Sequence, residues 1–269
     1  MTKSLKKDFG REVKSSFARF LSILLIVALG TAFFSGIKSA TPAMKSSADK
    51  TYDSENMMDI CVQGTLGVTA KDIVEILKIA GVADAEGAYS GDFLCSGHDS
   101  ELVTTVLSLT DRINLVKVTE GRYPEKYNEC IADKLFLEKS GYQIGDTIKL
   151  TMGTDDELSD TLATDEFTIV GVGNTSYYLS DDRGTASIGN GTVDAFLIIP
   201  KEAFTLTAFT KIFVTVNGAS ALNCFSGKYE KLVDSVASNI NTIVETRCNV
   251  RYDEFKNESG ELIDKAETR

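Results

Sequence analysis

The run from Phe20 to Ile37, FLSILLIVALGTAFFSGI, contains no charged residue. As an α-helix rising 1.5 Å per residue it would cover roughly 27 Å, close to the hydrocarbon thickness of a bilayer. Such a segment must lie in lipid or inside protein, and its flanks favour lipid. Up to Arg19 there are six basic residues, Lys3, Lys6, Lys7, Arg11, Lys14 and Arg19, against Asp8 and Glu12, although the whole chain carries a net charge of −11. A basic head before an apolar run stays cytoplasmic, so a transmembrane helix over 20–38 would deliver everything after about Lys38 to the extracytoplasmic face. A cleaved signal peptide and a buried core helix are the alternatives. Against the first, the run exceeds the usual apolar stretch of roughly 7 to 15 residues, and Lys38 spoils the position three before a cut after Ala40. A cut after Ala43 stays open. A lipoprotein is excluded because the first cysteine is Cys61.

Within the head, residues 1–19, Leu5, Phe9, Val13 and Phe17 recur every four residues and would form one apolar stripe on a helix, with Lys3, Lys6, Lys7 and Lys14 off it. Such a helix would lie on the inner membrane surface, against lipid; the plainer reading is a basic topogenic flank. Inside the span, Ala28, Ala32 and Gly36 make a small-residue stripe that would let a second helix approach closely. Small residues are common in spans in any case.

The rest is an acidic body. The chain as a whole, with 43% hydrophobic and 25% charged residues, has the composition of ordinary globular protein, and an acidic chain lacking a basic tract is not expected to bind nucleic acid. After a polar connector over 39–56, residues 57–65 read as a strand. A helix follows over 69–79, with Thr69 as N-cap and Gly81 as its stop. Residues 84–95 and 102–109 read as a strand pair around the turn Ser96-Gly97-His98-Asp99-Ser100. Near the end, 211–216 reads as a strand, 219–241 as a helix and 242–252 as a returning strand. The middle is rich in turns, with short strands at 129–132, 147–152, 167–172 and 195–199 and a helix near 134–140. An α+β chain carrying a mostly-β insertion is expected.

Four stretches resemble one family. RFLSILLIVALGTAFFSGIKSA, GRYPEKYNECIADKLFLEKSGYQIGDTIKL, the strand FTIVGV and SIGNGTVDAFLIIPKEAF look like the N-terminal part of an FtsX-like ABC transporter permease with a MacB-type periplasmic core domain. The resemblance implies an α+β fold in which one transmembrane helix precedes an extracytoplasmic domain. In that domain a split porter-like βαβ subdomain, 57–109 with 210–252, would flank an inserted β-rich subdomain, 110–209, and 253–269 would begin a coiled-coil-like helix. It also implies that ATP binds a separate cytoplasmic subunit, whose dimerisation moves the outer domain through the membrane helices. The expected partners are that ATP-binding subunit, further permease helices or a second permease copy, and membrane lipid. Relatives continue into three more spans and none follows Ile37 here, so a fragment of a longer permease is expected, with a naturally short single-span protein as the alternative. Gly121 and Arg122 open the family-like GR-P segment, and Gly145, Asp146 and Thr147 match its G-D-T turn. Structural roles for these are the plainer reading, since Gly takes positive φ and Asp caps turns, although ligand contact stays open.

Enzyme chemistry finds no foothold. The only Gly-Lys pair, Gly227-Lys228, has Leu222 where a phosphate loop needs its first glycine, and Gly189-Asn190-Gly191 lacks the third glycine of a dinucleotide fingerprint. Ser96, the sole histidine His98 and Asp99 are adjacent in a turn, which is not triad geometry. Asp155-Asp156 and Asp181-Asp182 could hold a cation but lack EF-hand spacing. The five cysteines, Cys61, Cys95, Cys130, Cys224 and Cys248, are odd in number and show no C-x-x-C pair. No catalytic residue, cofactor or metal is expected. Three functions remain in view: a permease subunit, a single-pass surface binding or sensor protein, and, least of all, an anchored hydrolase.

Overall fold

Leucine, alanine, lysine and other good helix formers dominate the first part of this chain, and it is helical from Lys3 to Ser54 but for one turn residue, even across Pro42. A computed structural model describes residues 3–97, 101–178 and 180–267 and divides the chain after Lys50 into two units. In the first, α1 (Lys3–Ser15) is followed after one turn residue by α2 (Phe17–Ser54). The ladder crosses the junction, with Ser16 N–H on Glu12 O at 3.0 Å and Phe20 N–H on Ser16 O at 3.0 Å. An 18-residue stretch of α2 reaches a mean hydropathy of 2.3, and none of it is buried in protein. Two of its hydroxyls bond back to the helix: Ser22 Oγ donates to Ala18 O at 2.8 Å and Thr31 Oγ1 to Val27 O at 2.9 Å. That satisfies each hydroxyl within the helix, as a lipid setting requires. The polar segment after the apolar run, read as a connector, is helical as far as Ser54.

The second unit holds two sheets. β1 (Ile60–Val68), β2 (Val82–Ala88) and β10 (Phe209–Val216) form an antiparallel sheet in the order β1-β10-β2, so residues from both ends of the body meet in it. Between β1 and β2, α3 (Ala70–Leu77) begins where expected. Asp72 Oδ2 accepts the Thr69 backbone N–H at 2.8 Å and its hydroxyl at 2.7 Å. On this sheet α3 and α5 (Gly227–Glu267) bury Ile76, Ile79, Val82, Ile212, Val214, Val236 and Ile240.

The larger sheet comprises β3 (Ser90–Ser96), β4 (Glu101–Ser108), β5 (Val116–Gly121), β6 (Glu129–Ala132), β7 (Thr147–Thr151), β8 (Glu166–Thr175) and β9 (Ala195–Ile199), with α4 (Lys134–Ser140) between β6 and β7. Its order is β5-β8-β6-β9-β4-β3-β7, and β7 also pairs with β8. Six strands therefore close into a barrel and β5 hangs on β8. Closure removes the exposed edges, and the interior is filled by Phe93, Cys95, Cys130, Ile148, Leu150, Phe167, Ile169 and Leu197.

Three sequence expectations change. Residues 242–252 are not a strand but a continuation of α5. Thr242, Ile243, Val244 and Val250 have β-branched side chains, yet Val236, Ile240 and Ile243 recur at helical spacing and pack on the small sheet, so tertiary contact overrides propensity. That helix also starts later than expected, after Ser226, whose Oγ accepts Tyr229 N–H at 3.2 Å. Residues 84–95 are two strands in different sheets, parting at Tyr89, whose ring meets Phe204 and Phe209 at 5.0 Å each. Consequently 90–96 and 101–108, grouped by sequence with the smaller sheet, belong to the barrel.

A single carboxylate ties the two sheets. Glu86 on β2 accepts the backbone N–H groups of Asp111, Arg112 and Ile113 at 2.9, 3.0 and 3.0 Å, and the Lys201 Nζ at 2.6 Å. Burial works against its ionisation, but these donors outweigh burial and hold its pKa below the ordinary glutamate value.

Candidate functional site

The sequence-derived residues fall into three places. Phe9 is exposed on α1, which also contains Leu5 and Val13, and Phe17 is exposed as the first residue of α2, so the four residues are divided between two helices. Ala28, Ala32 and Gly36 are exposed on α2, and a Cβ added at Gly36 would meet nothing within 4 Å. The stripe is thus open for a neighbour. The remaining five, Gly121, Arg122, Gly145, Asp146 and Thr147, sit in the barrel.

Gly121 ends β5 directly opposite Gly171 of β8, with φ +75. A Cβ there would come within 2.3 Å of Val170 O, so only glycine fits this approach. Arg122 then turns onto Glu129 in a two-pronged pair, Nη1 to Oε2 and Nη2 to Oε1, both at 2.8 Å. Glu125 N–H and Lys126 N–H also donate to Glu129, at 2.8 and 3.3 Å. The Arg122 fork leads in pulling the Glu129 pKa from 4.5 to about 2. Both carboxylate oxygens are engaged, so the geometry is that of a clip between β5 and β6. Gly145 takes φ +103 and donates its N–H to Ile169 O at 2.8 Å, while Asp146 Oδ2 accepts Gln143 N–H at 2.8 Å and Thr147 opens β7. Its contacts are those of a turn.

A second clip was not visible in the sequence. Asp133 caps α4, accepting Leu135 N–H at 3.2 Å, and pairs with Arg183 from the long loop, Nε to Oδ2 at 2.8 Å. Side-chain exposures of 2% and 7% make this pair buried, and the guanidinium lies 5.4 and 5.3 Å from the centroids of the Tyr178 and Phe196 rings, which stack on each other at 5.1 Å. Arg183 also donates to Ser180 O. The nearest hint was the capping position before α4; nothing local couples residues 50 apart.

The chemistry suggested by isolated residues does not assemble. His98 and Asp99 lie outside the described residues. Among the described residues, no group of three or more His, Cys, Asp and Glu is placed to hold a metal ion. Cys95 and Cys130 are buried, and burial pushes the Cys95 thiol up to about 12, the behaviour of inert core thiols.

What the second unit does offer is a cavity of about 350 Å³ between β1, α3 and α5, lined among others by Leu66, Ile76, Ile240, Ile243, Asp72 and Arg247. Arg247 Nε donates to Asp72 Oδ1 at 2.7 Å. Burial opposes ionisation of Asp72, but the Thr69 backbone and hydroxyl donors and Arg247 together lower its pKa. The capping pattern Thr69-x-x-Asp72 was legible; its tie to a residue 175 positions later was not.

No curated protein matches the chain. Solved structures that align with it at low identity include two extracytoplasmic transporter domains. The extracellular domain of the noncanonic ABC-type transporter YknZ from Gram-positive bacteria aligns at a TM-score of 0.39 and 12% identity, covering 65% of this chain and 87% of that one. The periplasmic region of MacB from Actinobacillus actinomycetemcomitans aligns at 0.38 and 12%, covering 69% and 83%. The family assignment rests instead on the sequence itself: the family model of the MacB-like periplasmic core domain matches residues 20–232, from the start of the apolar run into α5. The chain belongs to the MacB-like periplasmic core domain family, the extracytoplasmic domains of FtsX- and MacB-like ABC transporter permeases.

Proposed function

We propose that this chain forms the first membrane span and the extracytoplasmic domain of an ABC transporter permease. The observation that carries the reading is the reach of the family match, which takes in both the apolar segment from Phe20 and the folded body. In this reading α1 lies at the cytoplasmic membrane surface, α2 crosses the bilayer and the body stands outside, as the basic head directs. A separate ATP-binding subunit supplies the energy. Its motion passes along α2, which packs on a further permease helix or a second copy through Ala28, Ala32 and Gly36.

The body has a mechanical feature suited to that task. Just after α2, Glu55 Oε2 accepts Ser176 N–H at 2.7 Å, and its own carbonyl accepts Leu115 N–H at 2.8 Å. Asn56 O accepts Asn114 N–H at 2.9 Å, while Asn114 Oδ1 accepts Met58 N–H at 2.9 Å. Residues 55–58 are thereby fastened to the loops after β4 and β8, so a displacement at this point would move the barrel rather than fray a linker.

The reading is tested by co-purifying the full chain from its native membrane in a mild detergent and identifying what accompanies it. Recovery of an ATP-binding subunit whose ATPase rate changes with the body deleted supports it. Recovery of the chain alone, with unchanged ATPase activity in those membranes, favours the single-pass binding protein.

A further inference from the structure

β1 is irregular where it meets the cavity. It pairs with β10 through Gln63↔Lys211 and again through Val68↔Phe209, so five steps along β1 are matched by two along β10 and residues 64–67 bulge out of the ladder. Bulges of this kind re-aim side chains and gather beside binding sites. Here the bulge brings Leu66, 38% exposed, to the cavity lining. Opposite, α3 and α5 supply Ile76, Ile240, Ile243 and Val244, and the volume of about 350 Å³ falls in the range of small-molecule pockets.

The polar part of the lining is unfinished. Arg247 spends its Nε on Asp72, yet its Nη2 is buried without a hydrogen-bond partner among the described residues. Buried donors are nearly always paired, so this N–H calls for an acceptor that the described residues do not provide. The charge of that acceptor follows from the neighbours. Asp72 already neutralises the guanidinium, and Glu75, which pairs with Lys78 at 2.8 Å, adds a second carboxylate to the lining. Each carboxylate is matched by one cation, so the lining has no net positive charge to draw in an anion, whereas a neutral carbonyl or hydroxyl can accept from Nη2 without one.

We propose that this cavity binds an uncharged amphiphile, with its apolar body against the isoleucine-rich walls and a carbonyl oxygen accepting from Arg247 Nη2. The proposal concerns the second unit alone and does not depend on the permease reading.

The probe is a diazirine-bearing 1-monolauroylglycerol, irradiated with the full chain in nanodiscs, with adducts located by peptide mass spectrometry. Adducts are expected on peptides covering 62–68 and 240–252, and unlabelled monolauroylglycerol should compete at least tenfold better than laurate. Arg247→Lys keeps the charge pair with Asp72 but loses the second arm of the fork, and should lower labelling of those peptides about tenfold. Leu66→Trp fills the mouth from an exposed position that the fold tolerates, and should abolish it. Adducts over 17–54 serve as the internal control and should be unchanged in both variants. The proposal fails if labelling is confined to 17–54, if both variants label 62–68 and 240–252 like the parent, or if laurate competes as well as the neutral lipid.

Discussion

Glu129 shows how much a residue recognised as a motif neighbour can owe to packing. Its carboxylate takes both prongs of Arg122 and two backbone N–H groups, and its pKa falls to about 2. A carboxyl whose folded pKa lies below the unfolded one stabilises the protein above the unfolded value, and that stabilisation disappears as pH falls through the folded value. Glu129→Gln should therefore lower the melting temperature by roughly 3–6 °C at pH 7. The gap to the parent should narrow as pH drops from about 4.5 toward 2; a gap constant across that window would show that the carboxylate charge is not what matters. Glu86 makes the companion case. Glu86→Ala would leave three backbone N–H groups without their acceptor and Lys201 with only the longer contact to Asp111, and should cost about 3 kcal/mol in urea unfolding of the body. A loss under about 0.5 kcal/mol would mean that the two sheets are held together by their apolar contacts alone. Neither clip could have been read from sequence in full. Gly121-Arg122 was visible as a pattern, but Glu129 as its partner, and Glu86 as the acceptor for residues 111–113, depend on strand pairings that bring distant residues together.

At the scale of elements, what was legible depended on whether local and tertiary preferences agreed. β6 and β9 are four- and five-residue runs buried throughout, bounded by turn or capping residues, and their limits match the sequence reading. α4 begins after the Asp133 cap and ends at Gly141 in the left-handed region, as a helix between such signals should. β5 went unread because Lys117, Glu120 and Gly121 interrupt its apolar residues, and it is a sheet-edge strand with only Val116 buried. The end of the body was misread in the opposite sense, since β-branched residues in α5 imitate a strand while the partner surface selects a helix. On α2 the small-residue stripe remains a proposal with a direct test. If Ala28, Ala32 and Gly36 face another helix, Ala32→Leu should impair partner recovery at least severalfold while leaving insertion intact, because leucine is at least as apolar as alanine. Ile26→Leu should be silent. Equal recovery for both variants would leave the span as an anchor only.

For the molecule as a whole, the family match and the structure meet in one arrangement: an apolar helix long enough to cross a bilayer, followed by an acidic body with its own two cores. About 220 residues from Lys50 onward contain both sheets, ample for a stable core, so a protein beginning at Lys50 should be soluble and melt in one cooperative transition. Aggregation or a broad, non-cooperative melt would show that the body needs the helix. The fold class and the membrane segment could be read from the chain because both rest on residue patterns of short range. The cavity at Arg247 could not, because it is assembled from a bulge, a helix and a second helix far apart in sequence. The claim on which the account turns is the placing of the body outside the membrane. It is tested most directly in intact cells with Cys61, Cys224 and Cys248 replaced by serine, a single thiol introduced either as Asp181→Cys in the loop after β8 or as Lys7→Cys in the head, and a membrane-impermeant maleimide. The account predicts that the Asp181→Cys protein is labelled at once and the Lys7→Cys protein only after permeabilisation; labelling in the reverse order would contradict it.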